Sequence, residues 1–499
     1  MNINNDKMPI ILIGNTFKYE IEATVKLFIQ ASKFNFLYDS IPEFLPEEYL
    51  IAKKLSDDKN IKLSVSIKLQ EKNLWKSELL LQSNADNDEV EHEMCRLIFN
   101  GFSQLTGINP PWGLITGIRP VKKIIPLISH GLNKSEIQNI LIQKYQIMPS
   151  KFELAYKTAE NQIPILEKIN SSAVSLYVSI PFCPTRCSYC SFVSHSMDSA
   201  VKLIPDYIDC LCRELEIIGK IISDTNTPVD TIYFGGGTPT SISAHDIERL
   251  MISVENNFNI ANVREYNFEA GRADTITAQK LQVIKKHGAT RISVNPQTLN
   301  DDVLKAIGRN HTGQDSIDAF LMAREIGFDN INMDLIAGLP SESVSSFKNT
   351  LDRVVELNPE SITVHTLTLK RSASLFENGI TQIHNPVAQM VDYSVNKLIN
   401  NNYNPYYLYR QKNTVDNLEN VGYSKAGKES WYNIFIMDET QTIIGAGCAA
   451  STKLVYPDGK ISRIHNYKFP YEYINRFDTL MQKKGEITEC LKKINNTQL

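Results

Sequence analysis

From Ser172 onward the chain alternates short runs rich in β-branched and aliphatic residues with longer stretches of helical periodicity. The short runs are Leu176 to Ile180, Asp230 to Phe234, Glu265 to Glu269, Arg291 to Val294, Ile331 to Leu335 and Ser361 to His365. Strands alternating with helices predict a parallel sheet with right-handed crossovers, and six of them without long insertions predict a partial (β/α)6 barrel. In such a sheet the reactive loops lie beyond the carboxyl ends of the strands. Earlier in the chain, an apolar run at Pro9 to Ile13, a helical pattern from Glu20 to Ala31 and an alternating strand pair around Leu63 to Gln82 predict a small α+β domain. The stretch from Asn109-Pro110-Pro111-Trp112-Gly113 to Gly117-Ile118-Arg119-Pro120 is dense in Pro and Gly and reads as a shaped connector. After about Ser372 the regular alternation stops and aromatic, mixed sequence follows. The expected fold class is therefore α/β: an N-terminal α+β domain over residues 1–170, a partial barrel over 171–375 and a C-terminal accessory αβ region over 376–499.

Composition narrows the function classes. The chain has 499 residues, 42% hydrophobic and 22% charged, which suits a soluble globular protein of two or three domains. A net charge of -4 gives no general reason to bind nucleic acid or anionic lipid. The apolar stretch Met8 to Ile13 lacks the basic cluster of a signal peptide, and no apolar run approaches the roughly 20 residues of a membrane span. Eight cysteines in such a chain point to a reducing, cytoplasmic setting, where clustered cysteines are metal ligands or reactive thiols.

Three of the eight are clustered. Tyr177-Val178-Ser179-Ile180-Pro181-Phe182-Cys183-Pro184-Thr185-Arg186-Cys187-Ser188-Tyr189-Cys190 places Cys183, Cys187 and Cys190 just after the first predicted barrel strand. Thiolates bind iron strongly, and three of them on a four-iron cluster leave one iron free for an external ligand. Structural zinc requires four closed ligands, and only His195 is near enough in sequence to be a fourth. A second turn, Phe234-Gly235-Gly236-Gly237-Thr238-Pro239-Thr240, follows the second strand; its glycines allow close backbone approach and offer N–H donors to a ligand.

These motifs resemble the radical S-adenosylmethionine (SAM) superfamily, whose members bind a 4Fe–4S cluster through this cysteine spacing and SAM at the open iron. The resemblance implies that Cys183, Cys187 and Cys190 hold the cluster and that Tyr189 packs by the adenine. Later strand ends carry Glu269, Gln297, Arg309 (in Ile307-Gly308-Arg309-Asn310-His311-Thr312) and Asp334. Together they match the coproporphyrinogen III oxidase-like branch, in which the residues matching Tyr177, Gly236, Gly237, Thr238, Glu269, Gln297, Arg309 and Asp334 contact one or two SAM molecules. Over nearly its whole length, including Pro110-Pro111-Trp112-Gly113, Tyr407 to Asn413 and Asn417 to Tyr423, the chain is similar to the HemZ-type coproporphyrinogen dehydrogenases. That implies oxidative decarboxylation of coproporphyrinogen III to protoporphyrinogen IX, with a low-potential flavodoxin or ferredoxin as electron donor.

Two positions depart from the well-characterised oxidases of the branch. Phe192 stands where they carry a further cysteine, and Ser179 where they usually have a histidine. The Cys190-Ser191-Phe192 form is closer to the heme chaperones and heme-degrading methyltransferases, which remain the alternatives. His465-Asn466 partly resembles the chaperones' heme-binding motif, although Phe469 and Pro470 depart from it. Ile443 to Ala450 resembles a glycine turn near a second SAM. Tyr403 to Tyr409, with Arg410 and Lys412, offers either an aromatic, cationic surface for tetrapyrrole propionates or an aromatic strand that packs on the barrel. Cys95, Cys210, Cys212, Cys448 and Cys490 read as structural.

Overall fold

The computed structural model describes residues 8–29, 34–69, 74–192, 194–368, 386–411 and 414–496. Its contacts divide into two compact units, residues 1–120 with 126–153, and residues 121–125 with 154–499.

The first unit contains a five-stranded sheet in the order β2-β1-β3-β4-β5: β1 Pro9–Ile13, β2 Asn35–Tyr38, β3 Tyr49–Ser56, β4 Asn60–Lys68 and β5 Trp75–Gln82. β1 runs parallel to β2 and β3, and β3 to β5 form an antiparallel meander. The helices Lys18–Val25 and Asn87–Thr106 bury their apolar residues against one face. The longer helix starts where the Asp86 side chain accepts from the Glu89 N–H and stops at Gly107, whose φ of 73° is the left-handed turn glycine favours. The first helix ends at Val25, earlier than the expected Ala31, which lies outside the described residues. In the connector, Trp112 is buried. The helix Pro149–Leu166 carries the chain across the division between the units, ahead of the expected boundary at 170.

The second unit contains an eleven-stranded sheet in the order β14-β15-β13-β12-β11-β10-β9-β6-β16-β17-β18. Its centre is six parallel strands: β6 Val174–Ile180, β9 Val229–Gly236, β10 Glu265–Gly271, β11 Arg291–Val294, β12 Ile331–Ala337 and β13 Ser361–Thr366. These are the six strands expected from the sequence. β7 Phe182–Cys183 and β8 His195–Ser196 form a separate pair within the first loop. Outside the sheet, helices such as Ile204–Asp224, Ala244–Asn257 and Val344–Leu357 bury apolar stripes.

Residues 386–496 do not form a third compact body. β15 Glu419–Ser424 pairs antiparallel with β13 and with β14 Asn404–Arg410, while β16 Thr442–Ala446 pairs parallel with β6 and leads to β17 Ser451–Val455 and β18 Ile461–His465. Both flanks of the parallel sheet are thus extended by the C-terminal region, so it shares the second unit's core. The expected boundary near 375 lies outside the described residues.

The strands alternate in a way that matters for function. One face carries Leu176, Val178, Ile232, Phe234, Phe268, Ile292, Val294, Met333, Leu335, Ile362 and Val364, all buried. The cross-strand registers put Ser175, Tyr177, Thr231, Tyr233, Glu265, Asn267, Glu269, Arg291, Ser293, Asn332, Asp334, Ser361 and Thr363 on the opposite, inward face. At the amino ends of the strands this polar face is closed by protein. Glu265 accepts from the Ser430 hydroxyl and the Trp431 N–H at the start of the helix Trp431–Asp438. Arg291 donates to Asn330, the Lys428 carbonyl and Ser361.

A buried ion pair secures the C-terminal end. Lys484 Nζ lies 3.0 Å from Glu214 Oε1, both side chains having no exposure. Glu214 also accepts from the Gly447 N–H, Asn466 and Tyr473, and Lys484 donates to the Gly445 carbonyl. Removing one partner strands a buried charge. Lys484→Met is expected to cost about 3 to 5 kcal/mol of the second unit's stability, measured as the fall in its chemical-denaturation midpoint relative to an exposed-site control such as Lys460→Met.

Candidate functional site

The six parallel strands end at one side of the sheet, and there the sequence-predicted residues fall into two adjoining groups. The first surrounds the three-cysteine loop. Cys183 ends β7, Cys187 is buried, and the Cys190 N–H donates to the Cys187 carbonyl. Burial pushes the Cys183 thiol up and the Cys190 thiol up to about 11.

The glycine turn after β9 packs directly on this loop. The Gly237 N–H donates to the Ile180 carbonyl at 2.8 Å and the Thr238 N–H to the Phe182 carbonyl at 2.8 Å. The Thr238 hydroxyl donates to Cys183 Sγ at 3.4 Å. A Cβ on Gly237 would come within 2.7 Å of the Phe182 carbonyl oxygen and 3.0 Å of Cys183 Sγ. The Gly237 N–H, one of the glycine donors expected to face a ligand, is therefore committed to the end of β6, and the close approach that glycine permits here is loop to loop.

Two further segments hold the loop. The Ser188 N–H donates to the Ile307 carbonyl and the Thr185 hydroxyl to the Gly308 carbonyl. The Arg309 guanidinium donates to the Asn295 carbonyl at 2.6 Å and to the Tyr189 hydroxyl at 3.1 Å. From the end of β10, Arg272 reaches the Thr185 carbonyl and hydroxyl and, at 3.6 Å, Cys187 Sγ. No signal in the sequence aims Arg272 at a cysteine 85 positions away.

The second group lines the inward face of the sheet. Tyr177, Tyr233 and Tyr432 form a stack, with centroids 4.3 Å apart for Tyr233 and Tyr432 and 6.0 Å for Tyr177 and Tyr233. The Tyr233 hydroxyl donates to Glu269. Burial pushes the Glu269 carboxyl up to about 7, against the Tyr233 hydrogen bond, and the neighbouring Asp334 adds to the rise. Asp334 goes the other way: burial would raise it, but His365 at 3.9 Å, Asn332 and Thr363 together hold it below the usual carboxylate range. Tyr409 brings its hydroxyl to 3.4 Å from His365 Nδ1. Tyr233, His365 and Tyr432 were not singled out from sequence; the first two could have been, as inward positions in step with Tyr177 and Asp334.

Gln297 stands at φ 68°, a left-handed conformation unusual for a side chain with a Cβ. Its N–H and carbonyl bond to β12, at the Asp334 carbonyl and the Ile336 N–H. Its Oε1, Asn295 Oδ1 and Arg309 Nε are buried without a hydrogen-bond partner. Orphaned buried polar atoms are rare in folded proteins and call for an explanation. A strained residue surrounded by unused donors and acceptors at the strand ends fits a polar ligand. Among the described residues no three His, Cys, Asp or Glu side chains gather tightly enough to hold a single metal ion. A cluster, whose ligands bind different irons, needs no such convergence.

Other expected contributors lie elsewhere. His465 is exposed on β18, while Asn466 is buried, donating to Glu214 and the Gly447 carbonyl. The His195 ring packs edge-on against Phe469. Tyr403, Tyr406 and Tyr407 are buried, and burial pushes Arg410 down to about 10, so most of this stretch packs on the barrel. Lys412 and Asn413 lie outside the described residues.

A parallel sheet whose first loop carries three cysteines and whose second carries a glycine turn is the arrangement of a radical SAM protein, and the sequence profile of the Radical SAM superfamily matches residues 177–354. The chain is 41% identical over 409 residues to the oxygen-independent coproporphyrinogen-III oxidase-like protein HemZ of Bacillus subtilis, covering 80% of this chain and 81% of that one. It is 31% identical over 282 residues to the heme chaperone HemW of the same organism, covering 55% of this chain and 69% of that one. The solved Escherichia coli coproporphyrinogen III oxidase HemN shares the fold, with a TM-score of 0.50 and 23% identity over 64% of this chain and 72% of that one. The chain belongs to the radical SAM superfamily and, within it, to the oxygen-independent coproporphyrinogen-III oxidase-like family of HemZ. Its cofactors are accordingly a 4Fe–4S cluster and SAM. Among the described residues no helix is long and apolar enough to cross a membrane.

The Glu269 shift has a measurable consequence. Because its folded pKa, about 7, lies above its ordinary value of 4.5, the folded state holds this proton more tightly. The associated stability is fully present below pH 4.5 and is lost as pH rises through 7. In the cofactor-free protein, Glu269→Gln is expected to flatten the urea-midpoint profile across that window and to be more stable than the parent above it. A parallel decline in both proteins would contradict the assignment.

Proposed function

We propose that this chain is a cytoplasmic radical SAM oxidoreductase that decarboxylates coproporphyrinogen III to protoporphyrinogen IX without oxygen. The observation that carries the reading is the 41% identity to HemZ across 80% of the chain. Cys183, Cys187 and Cys190 are the cluster's thiolate ligands. Tyr177, Tyr189, Gly236, Gly237, Thr238, Glu269, Gln297, Arg309 and Asp334 form the surroundings of SAM.

When bound, the cluster and SAM together supply a 5′-deoxyadenosyl radical, which can take a hydrogen atom from a substrate carbon. The chain's own residues prepare for this in three ways. Cys183 and Cys190, protonated while metal-free because burial raises them, give up their protons as iron is loaded. Gln297, Asn295 and Arg309 offer their unused polar atoms to SAM, with the Arg309 guanidinium suited to its carboxylate. The tyrosine stack of the inward face excludes water from the reacting carbon. Each of two propionates then loses one β-hydrogen atom, carbon dioxide and one electron, leaving a vinyl group. A flavodoxin- or ferredoxin-type donor and a separate acceptor carry the electrons in and out.

A second reading, a heme carrier that retains the cluster, is favoured by Ser191 and Phe192 after Cys190 and by the likeness to HemW. Anaerobic incubation of reconstituted protein with SAM, a low-potential reductant and coproporphyrinogen III separates the two. The oxidase reading expects protoporphyrinogen and 5′-deoxyadenosine by mass spectrometry, both abolished in Cys187→Ala. Cleavage of SAM with no decarboxylated product would overturn it in favour of heme handling.

A further inference from the structure

We infer that Arg272 is a positioning residue of the cluster, pinning the cysteine loop and making the cluster easier to reduce through a charged hydrogen bond to Cys187. The inference rests on reading Cys183, Cys187 and Cys190 as cluster ligands.

Arg272 is placed by local backbone geometry. The register between β10 and β11 slips between Glu269 and Gly271, and Gly271 adopts φ 70°. This bulge turns the chain, so that Glu269 lines the inward face while Arg272, three positions later, is directed at the first loop. The side chain is 4% exposed and its guanidinium is divided between two tasks. One edge, Nε and Nη2, is held by Asp274 at 2.9 and 2.6 Å. The remaining nitrogen, Nη1, donates to the Thr185 hydroxyl at 2.9 Å, the Thr185 carbonyl at 3.1 Å and Cys187 Sγ at 3.6 Å. Behind the pair, the buried His311 ring lies 3.5 Å from the same Asp274 carboxylate.

This orientation decides the electrostatics. Asp274 balances the guanidinium charge on the far side, so the positive, donating end of the pair faces the sulfur. Reduction adds an electron to the cluster, and a donor on a ligand sulfur in a low-dielectric pocket stabilises the extra negative charge. Hydrogen bonds to the sulfurs and net charge are among the terms that set cluster potentials. Lysine cannot serve both ends, because its single ammonium lacks the fork.

The test is an EPR-monitored redox titration of reconstituted holoprotein, with iron and sulfide counted per chain. Arg272→Gln is expected to load the cluster and move its midpoint to more negative potential. Asp274→Asn, which removes the balancing carboxylate and leaves the guanidinium, is expected to move it the other way. A fully loaded Arg272→Gln protein with the parent's midpoint would overturn the inference. If that variant loads no cluster, Asp274→Asn decides, and an unmoved or more negative midpoint there counts against it. Failure of the underlying reading looks different: Cys187→Ala would then load the same cluster as the parent.

Discussion

The constraint on which the rest of this structure depends is the polar inward face of its parallel sheet. Strands of a parallel sheet covered on both sides are ordinarily apolar on both, because buried polar groups cost free energy unless they are paired. Here the inward positions of six strands are Ser, Thr, Tyr, Asn, Asp, Glu and Arg. At the amino ends the protein supplies the partners: Glu265 is met by Ser430 and Trp431, Arg291 by Asn330, Lys428 and Ser361, and Ser175 by Gln441 and Thr231. Further along the strands the partners run out: Asn267 and Ser293, and beyond them Asn295, Gln297 and Arg309, keep unused atoms. The same pattern thus builds a floor and leaves a site.

Presenting three thiols in fixed positions is a second demand, and it is met by converging loops. Among its described residues the cysteine loop contains one short strand pair, β7 with β8, two residues each, which cannot fix it alone. It is instead held by the glycine turn after β9, by the Ile307–Arg309 segment and by Arg272. Gly237 is required because any side chain there would collide with Phe182 and Cys183. The glycines thereby act on the ligand's surroundings through the loop they support.

What the sequence reveals and what it hides follow from the range of the interactions. Strands β6 and β9 to β13 were readable because each is a local run of β-branched residues, and the cysteines because their spacing is itself the chemical signal. The inward tyrosines were in principle readable from period-two alternation: Tyr233 stands opposite Tyr177 in register. Arg272 and Tyr432 were not, since each acquires its role only when a bulge or a distant helix brings it to the site. The accessory region shows no regular alternation from which its place could be read, and it is pairing of β15 with β13 and of β16 with β6 that joins it to the core. Composition does not reveal which edge of a sheet a later strand will extend.

The electrostatics of the inward face follow from two carboxylates driven apart by their surroundings. Glu269, beside Tyr233 and with no cation in hydrogen-bond contact, rises to about 7, while Asp334 is kept ionised by His365, Asn332 and Thr363. The two carboxyls are thus pushed in opposite directions, Glu269 toward its protonated form and Asp334 toward its ionised one. A second full charge so close would be expensive in this setting, unless a cation arrives with the ligand. A positive group reaching this face would favour loss of the Glu269 proton, which otherwise leaves only as pH rises through about 7.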